Sequence, residues 1–117
     1  DIVIGDSTHL NSGTVLFSGN GVSIGERVLI APNCSIVPAS HAYDDPNRPI
    51  QSQGFSPSKG GIIIHDDVWI GANSVILDGS EIGQGCIVSA GSVVSGKLRS
   101  LGVYAGNPVR LLRIRKF

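Results

Sequence analysis

The sequence predicts an all-β fold in which short parallel strands wind into a solenoid. Three observations support it: an aliphatic residue at every sixth position, small residues two positions earlier, and two interruptions that leave the repeat otherwise intact. A period of six fits neither an α-helix, with apolar residues three and four apart, nor an ordinary strand, which alternates every two. A short fixed repeat indicates coils that stack and share one core. The repeating positions are Ile4, Leu10, Leu16, Ile24, Ile30, Ile36, Ile64, Ile70, Ile76, Ile82, Val88 and Val94.

The residues before each repeating position indicate how a coil is built. Alternation along a strand places a residue and the one two before it on the same side, and the residue between them on the other side. The inward set two positions earlier is mostly short or β-branched, as a narrow interior requires: Ile2, Thr8, Thr14, Val22, Val28, Cys34, Ile62, Val68, Ser74, Ser80, Cys86 and Ser92. Both cysteines belong to it, so we expect buried free thiols and neither a disulfide framework nor a zinc cluster.

The repeat divides the chain into four coils and a tail. Three hexads per turn place the coils at residues 2–21, 22–36, 62–79 and 80–95. Glycine follows the aliphatic residue at positions 5, 25, 71 and 83, where we expect turns that use positive φ. After Val94 the hexad fails, so residues 97–117 are predicted to form a short C-terminal tail with six of the nine basic residues. At 117 residues, the whole chain is predicted to be one domain.

Two interruptions break the spacing. The step from Leu16 to Ile24 is eight residues, which predicts a two-residue bulge at a corner. The step from Ile36 to Ile64 is 28 residues, which predicts an ejected loop at about residues 37–60. A loop of this length in a compact repeat protein is more often functional than idle.

Composition narrows the class of protein. The formal net charge is zero, and the few aromatic residues are not interleaved with basic ones, which argues against nucleic acid as a partner. The sequence has no apolar run long enough to span a membrane and no signal-peptide pattern, so we expect a cytoplasmic protein without an intrinsic membrane segment. The repeat is already under way at Asp1, so we expect native sequence upstream to be missing.

The outward residues form two columns if the repeat stays in frame. One column reads His9, Leu29, Trp69 and Ile87, and the other reads Val15, Ser35, Val75 and Val93. Exposed apolar stripes of this size usually mark a partner surface, so we expect self-association. Alternatively, the tail folds back and covers one stripe.

Three histidines are candidates for chemistry, but their spacing does not bring them together as metal ligands, so we expect no metal. His65 is predicted to lie on a turn without a functional role. His9 faces outward, where it could contact a partner chain or substrate. His41 opens the ejected loop close to Asp44 and Asp45 in the sequence. A neutral imidazole there can reach a ligand on the outside of the solenoid.

Three segments, residues 23–41, 67–91 and 102–110, resemble the hexapeptide-repeat acetyltransferases, notably the galactoside and maltose O-acetyltransferases. They read SIGERVLIAPNCSIVPASH, DVWIGANSVILDGSEIGQGCIVSAG and GVYAGNPVR. The loop SHAYDDPNRPIQSQG, residues 40–54, is more similar to the branch that O-acetylates bacterial surface polysaccharides and sugar precursors. The resemblance implies a left-handed parallel β-helix, a homotrimer, and acetyl-CoA bound in the groove between neighbouring solenoids.

The resemblance also implies roles for individual residues. It places the general base at His41, the acceptor-binding asparagine at Asn11, and a backbone N–H for the thioester oxygen at Ala72. It further implies a cofactor-binding set in which small residues line the pantetheine and basic residues approach the nucleotide phosphates: Ala90, Ser95, Lys97, Arg110 and Arg113. Without such a role, the basic tail would be a solvated end of the solenoid.

The sequence departs from the family pattern at two positions. Gly96 stands where the family has a phosphate-binding lysine, with Lys97 one residue later. Gly19 replaces an acidic acceptor contact of the galactoside enzymes, which suggests a different acceptor. Trp69, the one tryptophan, projects outward in the repeat frame and either packs between subunits or stacks on the acceptor or cofactor. We predict it, with Asn11, as acceptor-binding.

These observations predict an acetyl-CoA-dependent O-acetyltransferase that acts on a hydroxyl of a sugar or polysaccharide precursor. Because both cysteines point inward, we expect direct transfer in a ternary complex and no acyl-enzyme. Two alternatives stay open. One is an N-acetyltransferase for an amino sugar or a nucleotide-linked amino sugar, and the other is a catalytically silent β-helix that acts as a scaffold.

Overall fold

The computed structural model describes residues 1–116, which form fifteen short strands. The strands are β1 (Ile2–Ile4), β2 (His9–Leu10), β3 (Val15–Leu16), β4 (Val22–Ile24), β5 (Leu29–Ile30), β6 (Ser35–Val37), β7 (Ile62–Ile64), β8 (Trp69–Ile70), β9 (Val75–Leu77), β10 (Glu81–Ile82), β11 (Ile87–Val88), β12 (Val93–Val94), β13 (Lys97–Leu98), β14 (Gly102–Gly106) and β15 (Val109–Ile114). The one helical segment in this range is a 3₁₀ turn at Ile50–Ser52. No helix within residues 1–116 is long and apolar enough to cross a membrane.

From β1 to β14 consecutive strands belong to different sheets, so each full coil contributes one strand to each of the three faces of the solenoid. Sheet 1 has the order β1-β4-β7-β10-β13, sheet 2 the order β2-β5-β8-β11-β14-β15, and sheet 3 the order β3-β6-β9-β12. All pairs are parallel except β14 with β15. The molecule measures 54 × 28 × 23 Å. The predicted fold class, a left-handed parallel β-helix, is confirmed.

The turns between sheets form the corners of the solenoid, and two of these corners carry the predicted site residues. The 2–3 corner comprises residues 11–14, 31–34, 71–74 and 89–92, which follow strands of sheet 2. The 3–1 corner comprises residues 17–21, 38–61, 78–80 and 95–96, which follow strands of sheet 3. The ejected loop therefore leaves the solenoid at the 3–1 corner of the second coil.

The sixth-residue aliphatics form the core, as predicted. From Ile24 to Val94 each of them is at most 2% exposed, and each buried side chain of this size stabilises the fold by about 1.5–3 kcal/mol. The inward serines and both cysteines are no more than 1% exposed. In the first coil, Ile4 and Leu10 are 42% and 40% exposed, because β1 and β2 pair with only one neighbouring strand each.

The predicted outward columns are confirmed by the strand register. His9, Leu29, Trp69 and Ile87 are aligned across sheet 2, and Val15, Ser35, Val75 and Val93 are aligned across sheet 3. The long loop does not disturb this register, because β4, β5 and β6 pair directly with β7, β8 and β9.

The prediction of positive φ directly after the aliphatic residue is wrong. Within residues 1–116 the left-handed conformation recurs three residues after it, at Ser7, Gly13, Gly19, Arg27, Asn33, Asp67, Asn73, Gly79, Gly85, Gly91 and Leu101. Glycine is needed at the earlier position for a different reason, which is the close approach of the next coil. A Cβ on Gly83 would lie 2.6 Å from the Ser100 nitrogen and 2.8 Å from the Leu98 oxygen.

The predicted end of the coils at residue 95 is also wrong. Strands β13 and β14 continue sheets 1 and 2 as a partial fifth coil, which places Leu98 and Tyr104 in the core at 6% and 8% exposure. The repeat steps by four residues from Val94 to Leu98 and then by six again, so a strict hexad frame misses it. Strand β15 then pairs at the edge of β14, which leaves the column of Trp69 uncovered at 53% exposure.

Gly83→Ala tests the close approach between coils. We expect it to lower the free energy of unfolding by about 2 kcal/mol, since overpacking costs about 1–3 kcal/mol and the atoms that a Cβ would meet are backbone. Gly91→Ala is the control, because Gly91 has φ +72° but open space around it, so only the left-handed conformation is penalised, by about 1 kcal/mol. Urea unfolding measures both. A Gly83→Ala protein as stable as the wild type would contradict the explanation.

Burial raises the pKa of both cysteine thiols. The folded protein therefore keeps its thiol protons to a higher pH than the unfolded chain does. We expect this contribution to stability to be complete below the unfolded thiol pKa of about 8.5 and to be lost as pH rises above it. Urea titrations from neutral to alkaline pH should show a steeper loss of stability for the wild type than for Cys34→Ala/Cys86→Ala. Parallel curves for the two proteins would rule out the effect.

Candidate active site

His41 lies on a short antiparallel hairpin within the ejected loop. The Ala42 N–H donates to the Gly54 carbonyl oxygen at 2.9 Å, and the Ser56 N–H donates to the Ser40 carbonyl oxygen at 2.8 Å. The His41 ring stacks on Phe55, with ring centroids 5.0 Å apart and the planes inclined by 20°. The imidazole is therefore exposed but oriented. Sequence reasoning missed Phe55, whose only sequence signal is an aromatic residue in an otherwise polar part of the loop.

The tip of the loop is ordered by its own polar side chains. The Gln53 side-chain amide donates to the carbonyl oxygens of Asp45 and Arg48, both at 2.9 Å, and its oxygen accepts from the Asp45 N–H at 3.1 Å. The Arg48 guanidinium donates to the Ser52 carbonyl oxygen at 2.8 Å. Asp45 and Arg48 therefore stabilise the conformation of the loop. Among residues 1–116, no carboxylate forms a hydrogen bond with the His41 ring.

An apolar groove of about 440 Å³ lies along sheet 2 and the 2–3 corner. Its lining consists of small and aliphatic residues with one aromatic side chain: Ala31, Trp69, Gly71, Ala72, Ile87, Val88, Ser89 and Ala90. The Ala72 N–H donates to no acceptor within residues 1–116, so it is available to an oxygen atom of a ligand. An apolar groove with one available N–H donor can hold a mostly apolar ligand that carries a hydrogen-bond acceptor.

Asn11 lies at the same 2–3 corner, in the first coil. Its side-chain nitrogen donates to the Ile30 carbonyl oxygen at 2.7 Å. That bond fixes the amide and leaves its oxygen as the group that can accept a hydrogen bond from a hydroxyl. The Asn11 side chain can therefore accept a hydrogen bond from a ligand at this corner.

The remaining predicted cofactor-binding residues lie in two places. Ser95 is at the 3–1 corner, and Lys97 follows it at the start of β13, with its Nζ atom 3.9 Å from Glu81 Oε1. Arg110 and Arg113 are exposed on β15, opposite Ala105 and Val103 of β14.

His65 lies on the turn after β7 and pairs with Glu81 of the neighbouring coil, with Nε2 and Oε2 2.9 Å apart. The hydrogen bond with His65 lowers the pKa of the Glu81 carboxyl group, with a further contribution from the charge of Lys97. Together with Lys97 these residues line an open cavity of about 540 Å³. Residues 1–116 contain no group of three or more His, Cys, Asp or Glu side chains placed to share a metal ion.

The predicted site residues fall into two groups on one chain. His41 and Ser95 lie at the 3–1 corner, with Lys97 beside it, whereas Asn11, Ala72 and Ala90 lie at the 2–3 corner. Sheet 3 lies between the corners, and His41 lines a different cavity from the groove of Ala72 and Ala90. One chain alone therefore does not bring the imidazole to the groove.

Comparisons with known proteins agree with this architecture. Residues 61–96 match the family described as bacterial transferase hexapeptide (six repeats). The hexapeptide-repeat acetyltransferase VCA0836 of Vibrio cholerae is 39% identical, with a TM-score of 0.89 over 99% of this chain and 64% of that chain. It has also been solved with acetyl-CoA.

Two further relatives differ in the group that their names say they acylate. WbbJ of Escherichia coli K12, named as a candidate O-acetyltransferase of lipopolysaccharide biosynthesis, is 30% identical over 96% of this chain and 60% of its own length. AntD of Bacillus cereus, an N-acyltransferase solved as a point mutant with dTDP-4-amino-4,6-dideoxyglucose and coenzyme A, is 29% identical. Its TM-score is 0.85 over 99% of this chain and 64% of that chain.

The chain spans between 37% and 60% of the length of the first curated relatives that it matches. The match nevertheless extends over nearly all of this chain, from 96% to 99% of its residues. Together with the stacked hexad coils, these similarities show that the chain belongs to the hexapeptide-repeat acetyltransferase family.

Proposed function

We propose that this protein is an acetyl-CoA-dependent O-acetyltransferase that acts on a hydroxyl group of a sugar or polysaccharide precursor and works as a homotrimer. The observation that carries the proposal is the pairing of an oriented, exposed imidazole at one corner with an apolar groove and an available backbone N–H at the next. The acetyl-CoA bound to VCA0836 supports the same co-substrate here. Two free, buried cysteines fit a reducing cytoplasm as its location.

The reaction needs a base, an oxyanion donor and fixed orientation of two substrates. His41 takes the proton of the acceptor hydroxyl as its oxygen attacks the thioester carbonyl carbon, and the Ala72 N–H donates to the oxyanion that forms. The C–S bond then breaks, and the coenzyme A sulfur takes the proton back from the imidazolium. A positioned base contributes about 10²–10⁴-fold, and one oxyanion donor about 10²–10³-fold. Because Cys34 and Cys86 are buried, neither attacks the thioester.

A ring of copies would reunite the two groups of site residues. If the 3–1 corner of one copy faces the 2–3 corner of the next, His41, Ser95 and Lys97 come to lie beside Ala72 and Ala90 of its neighbour. Such a head-to-tail contact closes into a ring under cyclic symmetry. Sheet 3, which lies between the two corners, would then face the axis. Its outward column consists of small, mostly apolar residues, as close packing requires: Val15, Ser35, Val75 and Val93.

In this arrangement each residue of the predicted site has a function. Ala72 and Ala90 line the pantetheine from one copy, and Ser95 lines it from the other. Lys97, Arg110 and Arg113 approach the coenzyme A phosphates, for which guanidinium groups are geometrically suited. Asn11 holds the acceptor. Trp69, on the groove wall, contacts the substrates where the acceptor meets the cofactor.

Transfer to an amine is the second candidate, and the similarity to AntD, solved with a nucleotide-linked amino sugar, favours it. A hydroxyl gains more from a general base than an amine does, because a neutral amine is already a much stronger nucleophile than a neutral hydroxyl. The oriented imidazole of His41 therefore favours the hydroxyl. Matched acceptors that differ only in a hydroxyl or amino group distinguish the two, and a scaffold without activity predicts no coenzyme A release with either.

His41→Ala tests the base. Release of free coenzyme A should fall by about 10²–10⁴-fold in kcat, while the KM for acetyl-CoA stays within about twofold, because the groove is formed by other residues. His65→Ala is the matched control, since His65 is an exposed turn residue paired with Glu81. A His41→Ala enzyme with wild-type kcat would refute the assignment.

Complementation between subunits tests whether the site spans two copies. We co-express His41→Ala, which lacks the base, with Ala90→Trp, which fills the groove. Every mixed ring contains one junction with an intact loop and an intact groove, so random co-assembly should restore about a quarter of wild-type activity. Each variant alone should be inactive, as should the two mixed after separate assembly. If co-assembled rings are no more active than their parents, the site does not lie between subunits.

A further inference from the structure

One buried carboxylate holds the base of the His41 loop. Asp78 follows β9 at the 3–1 corner and is 8% exposed. Its Oδ1 atom accepts from the Gly61 N–H at 2.8 Å. Its Oδ2 atom accepts from the Lys59 N–H at 2.9 Å and from the Asn20 side-chain nitrogen at 3.0 Å. Both carboxylate oxygens therefore accept hydrogen bonds, and two of the three donors belong to the segment where the loop returns to the solenoid.

Asn20 connects this carboxylate to the other end of the loop. Its backbone N–H donates to the Pro38 carbonyl oxygen at 3.0 Å, where the loop leaves the second coil. A further backbone bond, from the Gly79 N–H to the Gly61 carbonyl oxygen at 2.7 Å, supports the return. The first, second and third coils thus meet at one point, and the loop begins and ends there.

The same corner of the fourth coil turns without a carboxylate, through Ser95 and Gly96. Burying a carboxylate is unfavourable unless its oxygens are saturated with hydrogen bonds, so a tight turn alone gives no reason for one. Asp66, at the turn between sheets 1 and 2, also accepts a backbone N–H, from Glu26 at 2.8 Å, but it joins two coils and contacts no loop. Asp78, in contrast, accepts hydrogen bonds from the returning end of the loop, which gives a reason for a carboxylate at this turn.

Only a few residues separate the base of the loop from the His41 imidazole. His41 lies three residues after Pro38, and Lys59 lines the same cavity of about 150 Å³ as His41. Between them, residues 40–42 and 54–56 form the hairpin that carries the ring. Short segments at both ends therefore connect the base of the loop to the hairpin.

We infer that Asp78, together with Asn20, is a positioning residue that fixes where the His41 imidazole stands relative to the neighbouring groove. The inference rests on the proposed function, since it gives the loop a catalytic purpose. A displacement of about 1 Å in a reacting group costs up to about 100-fold in rate. Asp78 acts through His41 and does not touch the substrates.

Asp78→Asn tests the inference, because it keeps the shape but places an amide donor against the donors of the loop. We expect kcat to fall by about 10- to 100-fold while the KM for acetyl-CoA stays within about twofold. Hydrogen exchange of the Lys59 and Gly61 amides should be faster by about tenfold, as expected when a hydrogen bond to a charged group is lost. The NMR signals of the His41 ring should shift, since its stacking on Phe55 changes.

Asp66→Asn is the matched control, with the same change of chemistry and the loss of a similar backbone bond away from the loop. It should leave kcat, the His41 ring signals and the exchange of Lys59 and Gly61 unchanged. Asn20→Ala provides a milder second variant should Asp78→Asn fold poorly. It removes one of the three bonds to the carboxylate, and it should lower kcat by about two- to fivefold in the same pattern.

The outcomes are distinguishable. Equal effects of Asp78→Asn and Asp66→Asn on kcat, KM and the ring signals would overturn the inference in favour of a general role in stability. Faster exchange with unchanged ring signals and unchanged kcat would overturn it too, because the loop would then be held without positioning the base. If the wild type releases no coenzyme A with any acceptor, the proposed function fails, while the exchange and ring measurements still decide whether Asp78 positions His41.

Discussion

The stacking of aliphatic residues in register is the constraint on which the structure depends. Each repeating side chain packs on its counterparts in the adjacent coils, so a coil cannot shift by one residue without moving its whole inward set to the surface. This is why the chain can eject more than twenty residues between Val37 and Ile62 and resume pairing in frame. Variation is confined to the corners, and the long loop and the groove are both found there.

The same constraint explains the division of the proposed site. A strand of two or three residues leaves no room for functional side chains within the core, so they must stand on outward positions or at corners. The His41 hairpin occupies the 3–1 corner, and the groove with the Ala72 N–H occupies the 2–3 corner. A triangular solenoid keeps its corners apart, and in the proposed arrangement a second copy brings them together. Under the proposed function, catalysis then requires assembly.

The sequence predicts the repetitive part of this molecule well and the loop contacts poorly. The hexad alone was sufficient for the inward residues and for the alignment of Trp69 with Leu29 and Ile87, because one spacing determines both. The step from Val94 to Leu98 is four residues instead of six, so the hexad does not predict the partial fifth coil. The stacking of Phe55 on His41 and the bonds of Asp78 to Lys59 and Gly61 join residues far apart in sequence. They follow no periodicity, so no repeat in the sequence predicts them.

The central claim is that the imidazole of one copy serves the groove of the next. A crystal structure of the assembled protein with coenzyme A tests it most directly, through the position of His41 Nε2 relative to the sulfur atom and to the neighbour's Ala72 nitrogen. We expect the sulfur to lie in the groove between two copies, with the imidazole and that nitrogen within about 3–4 Å of where the acyl carbon would stand. Coenzyme A bound within a single copy, away from every His41, would contradict the claim.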